Sequence, residues 1–460
     1  MTRTGIHTVF TIRALLARFL GDSHYRRWVA AVRDCGFDAV SLDVIWEMAE
    51  KRRGRFDFSL ADSLVEPVVS AGLSVQLKLN SRLHPEWIRG VAQLLCGGAR
   101  PRCRETFDRP VHTFADEALT RRICDFYHHA VRHFAGLPVI SYQPMFSFAF
   151  ESEYEFYEYA DYSVAARRQY SRWLRQRYHT VEALNAHWGA RLKKWPDKMP
   201  IDFHGDSPRP GAPDCRPRFV DFMKYREDSL RGFMHSLARA VRETDAGAAF
   251  CAQVGRIYSP CAARRGTPGV FRWGADADEI IVDPNPADDI GFAVDAARPS
   301  GKLCSVEMDG PLAYHRNLTG PAGRHYVTHA SAAARHGAQR LYFANFSGPR
   351  DFSNYARHLA EAIQTFRDNR RTVRPAHAVY ISKAAVYAFH EREIPCYHMP
   401  PEREPVDIIS DDLIAASPDL VARYKNVEAP FAPVVGRAAA HLVRDFCPGD
   451  LFDEYGKPIP

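Results

Sequence analysis

The sequence lacks several things that would each have set its class. No apolar run reaches the roughly 18 residues that span a bilayer. The N-terminal stretch "MTRTGIHTVFTIRALLARFLGD" is broken by Arg13 and Arg18, so neither a membrane anchor nor a signal peptide is expected. The 10 cysteines among 460 residues include no C-x-x-C pair and no zinc-like spacing. They read as reduced core and loop residues of a cytoplasmic protein. There is no strong excess of charge of one sign either. The formal net charge is +6, with arginines mixed among acidic residues, which argues against a nucleic-acid partner. The basic cluster "GGARPRCRETFDRP" is a local exception, read as a solvated loop or as a place to greet an acidic ligand.

Apolar residues make up 46% of the chain and charged residues 25%, the balance of a globular protein with room for a large core. Short β-branched and aromatic runs alternate with longer stretches of helical period, which points to βα units and a parallel sheet. Eight candidate strands follow in order: "GIHTVFTI", "FDAVSLDVIW", "LSVQLKLN", "PVISYQPMFSFAF", "GAAFCAQVG", "DEIIVDPN", "KLCSVEMD" and "QRLYFANFSG". Eight strands close a (β/α)8 TIM barrel, expected over residues 1–375. Glycines in "CGF", "AGL" and "HGAQ" stand where helix C-caps precede the next strand. Residues 376–460 read as a short α/β appendage of strand, strand and helix, small for an independent domain and suited to packing on the barrel or on another copy of the chain. Two long loops, one after the third strand and one before the fifth unit, are expected to wall a site.

In such a barrel, chemistry sits at the carboxyl ends of the strands. Polar or aromatic groups fall there repeatedly: Trp46 and Glu47, Asn80 and Arg82, Gln253 and Arg256, Asp283 and Asn285, Glu307 and Asp309, and Asn345. The densest is "SFAFESEYEFYEYADYS", with Glu151, Glu153, Glu155 and Glu158 among aromatics. If the fourth strand runs through to these residues, Glu151 and Glu153 share its parity and both face the barrel mouth, while Glu155 and Glu158 lie beyond. A glutamate after strand four facing another at the end of strand seven fits cleavage of a glycosidic bond. One carboxyl protonates the leaving oxygen and the other attacks the anomeric carbon, with the pair about 5–5.5 Å apart in retaining enzymes.

Longer phrases sharpen that reading. "RGRFDFSLADSLVEPVVSAGLSVQLKLNSRLHPEWI", "QYSRWLRQRYHTVEALNAHWG", "VISYQ" leading to "SEYEF", "SVEMDG" and "HGAQRLYFANFSG" together resemble the family-42 glycoside hydrolases, the β-galactosidases of the retaining (β/α)8 clan, along most of the barrel. The resemblance implies Glu153 as acid/base, in "SEY" where the family has "N-E-Y", and Glu307 as nucleophile. It implies a carbohydrate substrate, no cofactor and possible homo-oligomers, since "VDIISDDLI" and "RYKNVEAP" resemble the start of the family's trimerisation domain. Candidate substrate-binding residues are Ser152, Trp46, Asn80, Arg109, Trp195 and Tyr314, with His315 beside the last. Core packing or loop solvation is the alternative for each.

Departures from the family pattern qualify it. Ser152 replaces the asparagine that binds the sugar 2-hydroxyl. The segment between "VISYQ" and the glutamates is longer, which keeps Glu151 as an alternative acid/base. The cysteine cluster that holds zinc is missing, so no metal is expected, and the galactose contacts after strand eight have no match. Retaining β-glycosidase chemistry therefore carries over and the sugar does not. A glucuronidase, a mannosidase, an endo-acting polysaccharide hydrolase and a glycan-binding barrel without activity remain open.

Overall fold

The computed structural model describes residues 5–88, 111–147, 151–154, 159–196, 215–258, 262–284, 290–311, 323–389, 403–431, 434–447 and 450–459. Eight parallel strands form one sheet: β1 (Thr8–Ile12), β2 (Ala39–Ile45), β3 (Ser74–Asn80), β4 (Val139–Met145), β5 (Cys251–Val254), β6 (Glu279–Val282), β7 (Leu303–Asp309) and β8 (Arg340–Ala344). β1 pairs with both β2 and β8, and the circle is completed between β4 and β5 by a parallel bridge, Tyr142 to Phe250. There the Tyr142 N–H donates to the Ala249 carbonyl at 2.8 Å. All eight expected strands are present.

The strands are buried on both faces, as a barrel demands. Outward side chains such as Phe10, Val40, Leu77 and Phe343 pack beneath the helices. Inward side chains form layers two residues apart. The lower layer joins Gln76, Ser305, Glu279, Arg340 and Tyr342 through hydrogen bonds. Two residues further along β3, β4, β5 and β7 stand Lys78, Gln143, Gln253 and Glu307, the floor of the candidate site.

Helices cover the outside, including Asp22–Asp34, Ser59–Ser70, Glu117–His133, Val164–Tyr178, Pro217–Thr244, Arg324–His336 and Pro349–Asn369. Gly36, Gly72 and Gly337 have φ of +101°, +82° and +89°, the left-handed turn that the glycine signals implied. β4 is shorter than the sequence suggested. It ends at Met145, and the N–H groups of Phe146 and Ser147 both donate to the Glu151 carbonyl, at 3.2 and 3.1 Å. Strand parity therefore does not decide where Glu151 and Glu153 point, and residues 148–150 of the expected strand lie outside the described residues.

Beyond the barrel, β9 (His377–Ile381), β10 (Asp407–Ile409) and β11 (Asn426–Phe431) make a small parallel sheet in the order β10-β9-β11. "AHAVYISKAAVYAFH" is not strand throughout. After β9 the Ser382 hydroxyl accepts from the Ala385 N–H and starts a helix, Lys383–Ala388. We propose the division between barrel and appendage at residues 375 and 376. The two parts are joined by Arg298, which donates to Asp407 at 2.8 Å, and by Lys383, which donates to Glu227 of the long helix at 2.9 Å.

Candidate active site

The upper layer is built around Gln253 of β5. Its side-chain oxygen accepts from Gln143 at 2.7 Å and from Lys78 at 3.2 Å, which turns its amide N–H toward Glu307 at 2.8 Å. The Lys78 ammonium lies 3.9 Å from the same Glu307 oxygen. Lys78 is fully buried, and burial lowers its pKa while the Glu307 charge opposes that change. Glu307, 2% exposed, thus receives a donor and a neighbouring positive charge on one oxygen.

Glu151 and Glu153 both converge on Arg265, at the end of the short helix Ala262–Arg265. The guanidinium bonds Glu151 at 2.5 Å through one nitrogen and Glu153 through another, and the Gly255 N–H donates to the second oxygen of Glu153 at 3.1 Å. Gly255 is required for this approach, because a Cβ there would sit 2.0 Å from the Arg265 guanidinium. Burial pushes the Glu153 carboxyl well above the ordinary range, and the Glu151 charge adds to the rise against the opposing Arg265 and Gly255. A carboxyl held in its acid form is what a proton donor to a leaving group needs.

Asp283, just past β6, and Asp309, at the end of β7, complete the acidic mouth. With Glu307 they have oxygens within 4.8 Å of one another, the one such grouping among the described residues. Hard oxygens suit a hard cation, yet protonation relieves the same repulsion. Burial first, then its acidic neighbours, raise Asp283 well above its usual value and Asp309 to about 7, and Asn345 donates to Asp309.

The remaining expected residues divide. The Ser152 hydroxyl donates to the Pro144 carbonyl at 2.8 Å and its N–H to the Gln253 carbonyl at 2.8 Å, stitching the β4 loop to β5. Trp46 sits in the packed core beneath the helices. It is completely buried, stacked on Phe126 and bonded through its indole N–H to Glu50 at 2.7 Å. Trp195 packs on the outer aromatic cluster with the Arg175 guanidinium 5.8 Å from its ring centre, and no described contact joins it to the carboxylates. Asn80 ends β3, accepts from the Leu83 N–H at 3.1 Å, and keeps a buried amide nitrogen without a partner among the described residues. Arg109, Tyr314, His315, Asn285, Glu155, Glu158 and the basic cluster lie outside the described residues.

Sequence reasoning missed Arg265 and Lys78. Lys78 had a signal, since a lysine inside the strand "SVQLKLN" is rarely buried without a partner. Arg265 had none, because only folding brings it 112 residues back to Glu153.

The chain matches the family model described as beta-galactosidase, glycoside hydrolase family 42, over residues 22–278. Beta-galactosidase BbgII of Bifidobacterium bifidum is 24% identical over 235 residues, 46% of this chain and 32% of the relative. The matched stretches thus span about a third of the length of the first curated relatives. Two solved structures share the fold. The polyextremophilic beta-galactosidase of Halorubrum lacusprofundi has a TM-score of 0.71 at 18% identity, covering 97% of this chain and 72% of that one. Gan42B of G. stearothermophilus, a GH42 beta-galactosidase, has a TM-score of 0.73 at 15% identity, covering 100% and 74%.

Proposed function

The chain belongs to glycoside hydrolase family 42, and from that premise we propose that it hydrolyses a β-linked galactoside-like sugar by double displacement, with Glu307 as nucleophile and Glu153 as acid/base. The observation that carries the reading is the pairing of two differently held carboxyls: Glu307 on Gln253 and Lys78, and Glu153 raised toward its acid form beside Arg265. In the first step the Glu307 oxygen bonds the anomeric carbon while Glu153 gives its proton to the departing glycosidic oxygen. In the second, Glu153 takes a proton from water, whose oxygen displaces Glu307. Glu151 shares Arg265 with Glu153 and sets its charge environment.

Glu307→Gln should lower turnover of an aryl β-galactoside by at least about a thousandfold with the fold intact; near-normal turnover would remove Glu307 from the mechanism. Azide should restore activity on an activated substrate in Glu153→Ala and not in Glu151→Ala. The reverse pattern would transfer the acid role to Glu151.

A different sugar is the second reading, supported by the Ser152 hydroxyl being committed to Pro144 where the family's asparagine meets the 2-hydroxyl. A panel of aryl galactosides, glucuronides and mannosides separates the two. A location in the cytoplasm and assembly into homo-oligomers belong to the same proposal. Among the described residues no helix is long and apolar enough to cross a membrane.

A further inference from the structure

A cavity of about 440 Å³ lies between the long helix Pro217–Thr244 and the carboxyl ends of β9 and β10. It shares no lining residue with the carboxylate cluster of the barrel. The sheet order β10-β9-β11 means that the chain leaves β9 toward one side and later crosses back to place β11 on the other. In open parallel sheets the crevice outside the strand carboxyl ends, where connections diverge, is where ligands bind. The residues just beyond two of these strands line this cavity, Lys383 and Ala384 after β9 and Asp411 and Asp412 after β10, together with Gly436 and Arg437, which follow the short strand Val434–Val435 of a separate two-stranded sheet.

Its polar wall is already satisfied from within. Lys383 donates to Glu227 at 2.9 Å and to both oxygens of Asp412 at 2.7 and 2.8 Å, and the Tyr387 hydroxyl donates to Glu227. Asp411 accepts from the Tyr380 hydroxyl at 2.8 Å, the Lys383 N–H at 2.6 Å and the Gly436 N–H at 2.8 Å. A polar ligand group would have to displace these bonds, so the inner wall does not select one. The other surfaces are apolar, with Phe219, Met223 and Phe271 facing a run of alanines that leaves the space open. At the rim the cations are mostly neutralised: Lys224 by Glu454 at 2.6 Å, Arg272 by Asp228 at 2.5 Å and Arg437 by Asp453. Arg231 is exposed and has no ion pair or hydrogen bond among the described residues.

We propose that this cavity binds a small amphipathic anion, an aromatic carboxylate or sulfonate whose ring enters the apolar interior and whose charge rests on Arg231. A cavity of this volume holds a molecule of drug size. The site is independent of the glycosidase reading.

The test is a fluorescence titration of the full chain with 8-anilinonaphthalene-1-sulfonate, alongside the uncharged dye Nile red. Ala416→Phe fills the cavity from an exposed position and should weaken sulfonate binding at least tenfold; Ala438→Leu is the second variant should the first fail to fold. Arg231→Glu should weaken the sulfonate at least fivefold and leave Nile red unchanged. Aryl-galactoside turnover by these variants, where the wild type shows it, should be unaltered. Absence of saturable sulfonate binding, or equal affinity in a folded filled variant, would overturn the site. Equal effects of Arg231→Glu on both dyes would overturn the anionic head.

Discussion

Arg265 is the residue on which the chemistry of the β4 loop turns. Its cation favours the charged form of Glu153, while burial and Glu151 favour the acid form, and the second pair prevails. If Glu153 is the proton donor, activity falls as pH rises through its pKa. Removing the cation in Arg265→Gln should therefore move the alkaline limb of the kcat/KM profile upward, by about one unit. Glu151→Gln removes a negative neighbour and should move it downward. Limbs that stay fixed in both variants would mean that another group titrates. Glu151, Glu153 and Glu307 are candidates in the sequence through their places near strand ends and the family phrases around them. The clamp is not, because a salt bridge closed across more than a hundred residues leaves no local pattern.

Among the elements, the strands and the amphipathic helices were readable from period alone, and the glycine stops between them from backbone stereochemistry. Gly337 closes helix Arg324–His336 at φ +89°, where a Cβ would lie 3.0 Å from Val373. Gly337→Ala should cost about 1–2 kcal/mol in denaturant unfolding, from the left-handed backbone alone; a neutral result would show that the turn can relax. The sequence marks that helix by its closing glycine more than by its period, because its buried face is Tyr326, Ala330, Ala333, Ala334 and His336, with no stripe of large aliphatics. Helix Ile290–Ala297 is buried at every residue, so it has no polar face to mark a helical period. The β4 extension misled for a related reason. "MFSFAF" has the composition of strand, but the neighbouring N–H groups are taken up by the Glu151 carbonyl.

For the whole molecule, the proposed division at residues 375 and 376 does not imply independent folding. Glu227 of the barrel's long helix holds Lys383 and Tyr387 of the appendage, and burial with a crowd of carboxylates raises Asp412 to about 6 beside the same lysine. Breaking a buried pair on one side leaves the other charge short of partners. Calorimetry should show one unfolding transition for the wild type. Glu227→Ala should lose roughly 3 kcal/mol and separate the appendage into an earlier transition; two transitions in the wild type would contradict the coupling. The central claim concerns the covalent step at the barrel mouth, and the most direct test is to trap it. Incubation with a 2-deoxy-2-fluoro-β-galactosyl inactivator, followed by proteolysis and mass spectrometry, should find one sugar per chain, attached to Glu307 of β7. Attachment to Asp283, Asp309 or Glu151 instead, or rapid turnover of the wild type on aryl galactosides with no trapped adduct, would contradict the account.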